Sequence, residues 1–398
     1  MKISVAVLFG GNSVEHEVSI ISALQAIQSL NREKYDIHPV YITKNCEFYT
    51  GEKLFEVKNF TNIPALLKES RRVSFVNRNG KTYLVDDEVQ RFHKRNEIVI
   101  DVALPVVHGT NVEDGTVEGF LNLLGLPYAG CDVMASALCM DKYFSKMVLK
   151  AAGIPVLDCL KYSAPEQLEM DRLLDETEAH FGYPVIVKPV NLGSSVGISK
   201  ADNRDALREA IREAFTYSPR LIIEPAVQNL KEINCSVVGD SDEAEASECE
   251  SPVNSDKILS YEDKYMSGGK SAKTGGGSKG MADLQREVPA KISDELRTKI
   301  RETSIRAFKV LECSGVVRID YLMDQSTGEF WLNEINTIPG SLSFYLWKPV
   351  GVEYPVLLDK MIALALKRKR QQEETVFSFD TNLLETFTEG SGAKGAKR

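Results

Sequence analysis

Two carboxylates and a guanidinium fall on alternate positions of two short apolar segments, Val316-Val317-Arg318-Ile319-Asp320-Tyr321 and Trp331-Leu332-Asn333-Glu334-Ile335-Asn336. Between them lies Ser326-Thr327-Gly328, a three-residue loop whose last residue suits the left-handed position of a favoured hairpin turn. Closed that way, 325 faces 329, Asp320 faces Glu334 and Arg318 faces Asn336. Alternation puts these four on one face and Ile319, Tyr321, Met323, Trp331 and Ile335 on the other. Directly opposed carboxylates repel. A hard cation between them removes that cost, and the amide oxygen of Asn336 stands two residues along. Oxygen-only donors suit Mg²⁺, which keeps waters and substrate phosphates among its ligands. The plainer alternative is a solvated hairpin face carrying an Arg–carboxylate pair. Against it, the strands are otherwise apolar and run into Thr337-Ile338-Pro339-Gly340, a glycine turn suited to close approach of a ligand.

A second group is Lys188-Pro189-Val190-Asn191-Leu192-Gly193-Ser194-Ser195-Val196-Gly197. A lysine closes an apolar strand, and small residues with free backbone N–H groups follow, as in loops that wrap phosphate oxygens; surface turns use the same residues. No strand–GxxxxGK[ST]–helix unit is present, because Gly269-Lys270-Ser271 has Lys264 where the first glycine belongs and no strand before it. Gly10-Gly11 lacks the full GxGxxG pattern, so a dinucleotide oxidoreductase is weakly supported. Glu15, at the start of a first helix, and His108, after an apolar strand, both fall beyond strand carboxyl ends, where open α/β sheets bind ligands. A helix-capping Glu and a core His are the plainer alternatives.

The elements that must position these groups follow from periodicity. Ile3 to Phe9 reads as a buried parallel strand, followed by a helix starting at Asn12-Ser13-Val14-Glu15 and running to about Leu30. Strands are expected at Tyr35–Thr43 and Ile98–Val107 and a helix at 115–124, with 45–96 hard to parse beyond strand-like pieces at 73–76 and 82–85. A helix over 136–152 stops at Gly153-Ile154-Pro155. The strand Val185–Lys188, a helix over 203–216 and a strand over 221–224 come next, then a hairpin of 232–239 with 244–253. The run from Ser267 to Gly280, dense in Gly, Ser and Lys, cannot pack as a core element and reads as a mobile lid. Helix 294–311, strands 316–324 and 329–335 and a helix over 354–370 end in a polar tail. The expected divisions are an N-terminal α/β domain over 1–130, a central unit over 131–224, a C-terminal unit over 225–370 with its lid at 264–281, and the tail 371–398.

Composition narrows the function classes. The 398 residues are 43% hydrophobic and 26% charged, ordinary for a soluble chain of two or three domains. A net charge of −9 argues against an electrostatic nucleic-acid binder, so any basic group aimed at an anion must act locally. Seven scattered cysteines form no CxxC pair, which favours reduced packing residues over a disulfide frame or a zinc site. No apolar run is long enough to span a membrane. The first residues run straight into Gly10-Gly11 without a cleavage site, so they read as a strand and not a signal peptide.

Taken in order, several blocks resemble the signatures of the D-alanine–D-alanine ligase family, within the ATP-grasp superfamily. They are Gly10-Gly11-Asn12-Ser13-Val14-Glu15-His16-Glu17-Val18-Ser19, His108-Gly109 with Glu113-Asp114-Gly115-Thr116, and Met140-Asp141-Lys142. Val187-Lys188-Pro189 with the glycine loop, Lys264-Tyr265, and Asn333-Glu334-Ile335-Asn336-Thr337-Ile338-Pro339-Gly340 complete the set, which runs from the first strand to about residue 370.

The resemblance implies an α/β chain, α+β overall, with an N-terminal open α/β domain and two α+β domains sandwiching ATP. It implies ATP-dependent joining of two D-alanines through an acyl phosphate for peptidoglycan precursors. By the same resemblance Glu15 would hold the first ammonium beside His108, and Lys142 and Lys188 would meet ATP phosphates. Ser194, with Ser195 in the phosphate loop, would link Glu15 to Tyr265. Glu224 and Val227 would meet adenine, Glu232 the ribose, and Lys264 would close over phosphate. Arg318 and the Gly340 N–H would stabilise oxyanion charge, while Asp320, Glu334 and Asn336 would ligate two Mg²⁺ or Mn²⁺ ions. A cytoplasmic homodimer acting on small molecules, without nucleic acid or membrane partners, goes with it. A D-alanine–D-serine or D-alanine–D-lactate ligase of the same fold is the near alternative, and a nucleotide-binding regulator without catalysis the distant one. The chain departs from the pattern at Pro225, where some relatives carry lysine and where a backbone donor is lost. Asn191-Leu192 precede the glycine loop where others carry charge. Ser341-Leu342-Ser343-Phe344-Tyr345-Leu346-Trp347 follows Gly340, and within it Ser343 is the chemically suited partner for the second substrate's carboxylate.

Overall fold

Fully apolar strands need covering on both faces, and the chain meets that need with three sheets, each backed by helices. The computed structural model describes residues 2–88, 96–164, 169–193, 196–252 and 286–377. The expected lid, with Lys264 and Tyr265, and the loop residues Ser194 and Ser195 lie outside these.

The first sheet has seven strands. β1 (Ile3–Gly10) lies between β2 (Tyr35–Ile42) and β7 (Val102–Pro105), parallel to both. Beyond β2 come β3 (Phe48–Thr50), β4 (Arg71–Arg78), β5 (Lys81–Asp86) and β6 (Glu97–Ile100), all antiparallel. The single strand expected over 98–107 is therefore two. The chain turns at Asp101, whose N–H and carboxylate bond the backbone of Ser4 at 3.0 and 2.8 Å, so its halves pair at opposite edges of the sheet. α1 (His16–Ser29) starts four residues later than expected. The Gly10-Gly11 turn before it needs two positive φ angles, 95° and 97°, and a Cβ at Gly10 would stand 2.3 Å from the Ile42 carbonyl. His16 straps the turn, its ring nitrogens lying 2.6 Å from Gly11 O and 2.9 Å from the Tyr41 hydroxyl. In the difficult stretch the structure adds β3 and α2 (Ile63–Lys68), capped by the Asn62 side chain. α3 spans Thr116–Leu123.

The helix expected over 136–152 is broken in two, α4 (Val133–Met140) and α5 (Lys142–Ala151). Asp141 makes the break, because its carboxylate accepts from the N–H groups of Tyr143 and Phe144 and so caps α5. The second sheet, β10–β9–β11–β8, is antiparallel. It comprises β8 (Leu160–Ser163), β9 (Val185–Pro189), β10 (Ser199–Ala201) and β11 (Arg220–Pro225), packed under α6 (Met170–Phe181) and α7 (Arg204–Tyr217).

The third sheet runs β14–β13–β12–β15–β16, also antiparallel: β12 (Leu230–Gly239), β13 (Ala244–Pro252), β14 (Arg286–Glu287), β15 (Gly315–Asp324) and β16 (Phe330–Asn336). α8 (Asp294–Val310), α4 and α5 share its core. Arg318–Asn336 and Asp320–Glu334 are paired as expected, but by two offsets that cancel. The turn sets Asp324 against Glu329 across a four-residue loop, one residue longer than expected, and a bulge at Asn333 restores the count. Trp331 consequently leaves the core face where it was expected. It pairs with Leu322, and Leu332, 1% exposed, takes the core position opposite Tyr321.

α9 (Tyr354–Glu373) extends three residues into the expected tail. Its Leu357, Leu358, Met361, Ile362 and Ala365 pack into the core of the first sheet, together with Ile338, Leu342 and Trp347.

Candidate functional site

A cleft of about 880 Å³ opens between the second and third sheets, a volume suited to a nucleotide. Lys188, Glu224, Val227, Glu232, Asp320 and Glu334 line it, so six of the expected residues converge on one cavity. β9 and β11 supply the second-sheet wall. Lys188 and Ile222 are register partners there, with Glu224 two residues along.

Glu224 is fully buried, and each carboxylate oxygen meets one ammonium, Lys146 Nζ and Lys188 Nζ, both at 2.6 Å. Burial alone would raise this carboxyl. The two lysines outweigh it and hold the group down at about 2. Lys188 Nζ also donates to Asn333 Oδ1 at 2.8 Å. The bulge that restores the hairpin register thus also turns Asn333 towards the lysine. Neither Asn333 nor Lys146 was expected at the site. Lys146 follows Lys142 by four residues on one helix face, a spacing that could have disclosed it.

On the hairpin, Arg318 grips Asp320 through two parallel bonds, Nε–Oδ1 and Nη2–Oδ2, both 2.6 Å. Asn336 Nδ2 donates to Asp320 Oδ2 at 3.1 Å, and Lys142 Nζ lies 3.5 Å from Glu334 Oε2 while donating to Leu192 O at 2.6 Å. Two carboxylates held opposite each other on a cleft wall, with an amide beside them, form a donor set that fits a hard divalent cation.

Glu15 stands at the N-cap position of α1 but makes no side-chain cap bond. Its carboxylate lies between two glycines instead: a Cβ at either Gly109 or Gly193 would come within 2.9 Å of Oε2. Glycine at 193 therefore lets the expected phosphate loop approach the expected ammonium-binding carboxylate. His108, 3% exposed, has Nε2 3.1 Å from Ser22 Oγ, which in turn accepts from Ser341 N–H at 2.9 Å. This ties α1 to the residue after Gly340. Glu113 makes a second tie, accepting from Gly109 N–H at 3.0 Å, Ile338 N–H at 2.8 Å and the Thr337 hydroxyl at 3.2 Å. Burial, and then the nearby Glu15 charge, pushes the Glu113 carboxyl up to about 7. Ser22 and Glu113 had no expected role, although Glu113 sits inside one of the quoted blocks.

After Gly340, Ser341, Leu342 and Ser343 wind left-handed, with φ of 53°, 50° and 49°. Ser343 is fully buried, and its Oγ has no hydrogen-bond partner among the described residues. The Tyr345 hydroxyl donates to Glu250 Oε1 at 3.1 Å under the Arg286 guanidinium.

The His108 environment makes a prediction. Burial lowers its imidazole to about 4, with the Arg318 charge acting the same way, so the folded state refuses a proton that the unfolded chain accepts near pH 6.5. Its contribution to stability is present above about 6.5 and is lost as pH falls towards 4. Glu113, raised, acts with the opposite sign over an overlapping window. Urea unfolding of His108→Gln at pH 7.5 and 5 should therefore show a smaller loss on acidification than the wild type; an equal loss would place the pH dependence elsewhere.

The chain matches two family descriptions: D-ala D-ala ligase N-terminus over residues 4–131 and D-ala D-ala ligase C-terminus over 148–363. A D-alanine--D-alanine ligase of Thermosipho melanesiensis is 36% identical over 383 residues, spanning 96% of this chain and 98% of that protein. One from Thermoanaerobacter sp. is 39% identical over 385 residues, spanning 93% and 98%. Among solved structures, the D-alanine-D-alanine ligase from Coxiella burnetii superposes with a TM-score of 0.75 at 30% identity, covering 94% of this chain and 96% of that one. The D-Ala:D-Ser ligase VanG from Enterococcus faecalis gives 0.75 at 32%, covering 92% and 100%.

Proposed function

The chain belongs to the D-alanine–D-alanine ligase family, and from that premise we infer that it joins two D-alanines into D-alanyl-D-alanine at the expense of ATP, releasing ADP and phosphate. It is an enzyme with the ATP-grasp fold, and ATP and D-alanine are its small-molecule substrates. The observation that carries the reaction is the register pair Asp320–Glu334 in a nucleotide-sized cleft that also exposes Lys188. Such a wall suits phosphoryl transfer, which asks for positioned charge around the phosphates and little covalent work by the protein.

Asp320, Glu334 and Asn336 would hold Mg²⁺ or Mn²⁺, which supplies charge neutralisation at the phosphates when bound. Glu15 holds the ammonium of the first D-alanine with its carboxylate towards the cleft, and His108 and Ser22 fix the wall beside it. Lys142 and Lys188 carry the phosphates, with Ser194, Ser195 and Lys264 assigned to them by likeness. The backbone near Val227 meets adenine, as Glu224 spends both oxygens on lysines, and Glu232 meets the ribose. The first carboxylate takes the γ-phosphoryl group. Arg318 and the Gly340 N–H then steady the oxyanion that forms as the second amine attacks and phosphate leaves. Glu113 holds Thr337 and Ile338, and so the approach to Gly340, against Gly109. Tyr265 and Ser194 complete the polar network around Glu15, and Ser343 is the assigned partner of the second carboxylate. The family likeness supports a cytoplasmic homodimer; among the described residues no helix is long and apolar enough to cross a membrane.

Competition among D-alanine, D-serine and D-lactate at equal concentrations, with ATP and Mg²⁺ and products identified by mass, tests the assignment. D-alanine should outcompete D-lactate strongly and D-serine moderately, since a pocket rejects an added hydroxyl weakly. Predominant D-alanyl-D-lactate at neutral pH would overturn the assignment, and predominant D-alanyl-D-serine would move it to the other amide-forming ligase. No phosphate release with any of the three would remove the catalytic reading.

A further inference from the structure

Lys146 has no place in the mechanism above. It does not line the cleft and is 1% exposed, yet it makes a 2.6 Å ion pair with Glu224. Stability alone does not call for an ammonium there, because a buried ion pair can often be exchanged for apolar side chains of similar volume without loss of stability. What an ammonium alone supplies is charge. Lys146, Glu224 and Lys188 form a buried row with two positive charges and one negative, and only Glu224 and Lys188 of the three reach the cavity.

We propose that Lys146 is a positioning residue for nucleotide phosphates: by taking one oxygen of Glu224, it keeps Lys188 from being neutralised and leaves a net positive charge on the cleft wall. With Lys146 present, the carboxylate is shared between two ammonium groups and one unit of charge remains for a phosphate. Without it, Glu224 and Lys188 become a closed neutral pair, and the wall offers a phosphate little. Asn333, an uncharged acceptor, holds Lys188 from its other side without cancelling that charge. This rests on the cleft binding ATP, as proposed above.

The test is the ratio of ADP to adenosine affinity, measured by calorimetry with Mg²⁺ on the full chain. The ratio isolates the phosphate contribution from adenine contacts. Lys146→Met should lower it about tenfold, equivalent to about 1.4 kcal/mol, with adenosine affinity held, KM for ATP raised and KM for D-alanine unchanged. Glu224→Gln, which removes the neutralising charge, should not lower the ratio. The double variant Lys146→Met/Glu224→Gln should recover part of what Lys146→Met loses, a rescue that a purely structural role does not produce. An unchanged ratio in Lys146→Met, equal losses of ADP and adenosine, or a double variant no better than Lys146→Met would each overturn the proposal. If Lys146→Met fails to fold, Glu224→Gln decides: a lowered ratio there refutes the charge-sharing account. Wild-type protein that binds neither ligand would instead refute the nucleotide reading itself.

Discussion

Glu334→Gln should lower D-alanine-dependent ATP turnover by about 10³-fold or more while leaving the fold intact. The substitution keeps the shape of the side chain and removes one of two opposed charges on the cleft wall. If a divalent cation lies between them, the variant forfeits several kcal/mol of charge stabilisation at the phosphates, and each 1.4 kcal/mol is about tenfold in rate. Stability should barely move. The variant loses a 3.5 Å contact with Lys142 but is relieved of repulsion from Asp320, two small terms of opposite sign. Turnover with Mg²⁺ and with Mn²⁺, alongside thermal melting, checks it. Wild-type turnover with wild-type metal dependence would sink the metal role, and a collapsed melting transition would show Glu334 to be structural.

Arg318→Lys keeps the charge and should still cost about 10²–10³ in kcat, the loss typical of removing one oxyanion donor. A lysine cannot reproduce the pair of 2.6 Å bonds to Asp320. The displaced ammonium would neither hold that carboxylate in register nor present a second N–H to the attacked carbonyl. Because the lost interaction belongs to the transition state, kcat and kcat/KM for D-alanine should fall together, with KM for ATP little changed. A rise in KM alone would make Arg318 a ground-state binder. Full activity would remove it from the reaction.

Much of this was legible because particular spacings carry physical demands. Asp320 and Glu334 could be set opposite each other from a loop length and a period of two. The pairing holds, but a turn one residue longer and a bulge at Asn333 produce it, and a two-residue period has no term for either. Hence Trp331 was placed in the core and Asn333 passed over. The turn at Asp101 was hidden by apolar residues on both sides: an apolar run shows burial, not which edge of a sheet each half joins. The break at Asp141 had a visible signal, an Asp ahead of an amphipathic stretch, that a continuous helical pattern masked. Lys146 and Ser22 belong to another class. The four-residue spacing puts Lys146 on the helix face of Lys142, but the partners of the pair, Glu224 and the backbone at Ser341, are remote in sequence, and no local pattern names them.

The core around β1 has a consequence for how this chain comes into being. Apolar side chains of α9, together with Ile338, Leu342 and Trp347, finish the burial of a sheet whose first strand starts at Ile3. A ribosome releases those parts in the opposite order to the one packing needs. The first sheet leaves the exit tunnel with one flank unsealed and stays so until α9 has emerged. During that interval its bare apolar flank is exposed, and closing it joins elements far apart in sequence, the slow kind of contact in folding. A nascent chain cut short before α9 leaves that flank open, so quality control can recognise truncated ligase by an unfinished N-terminal core.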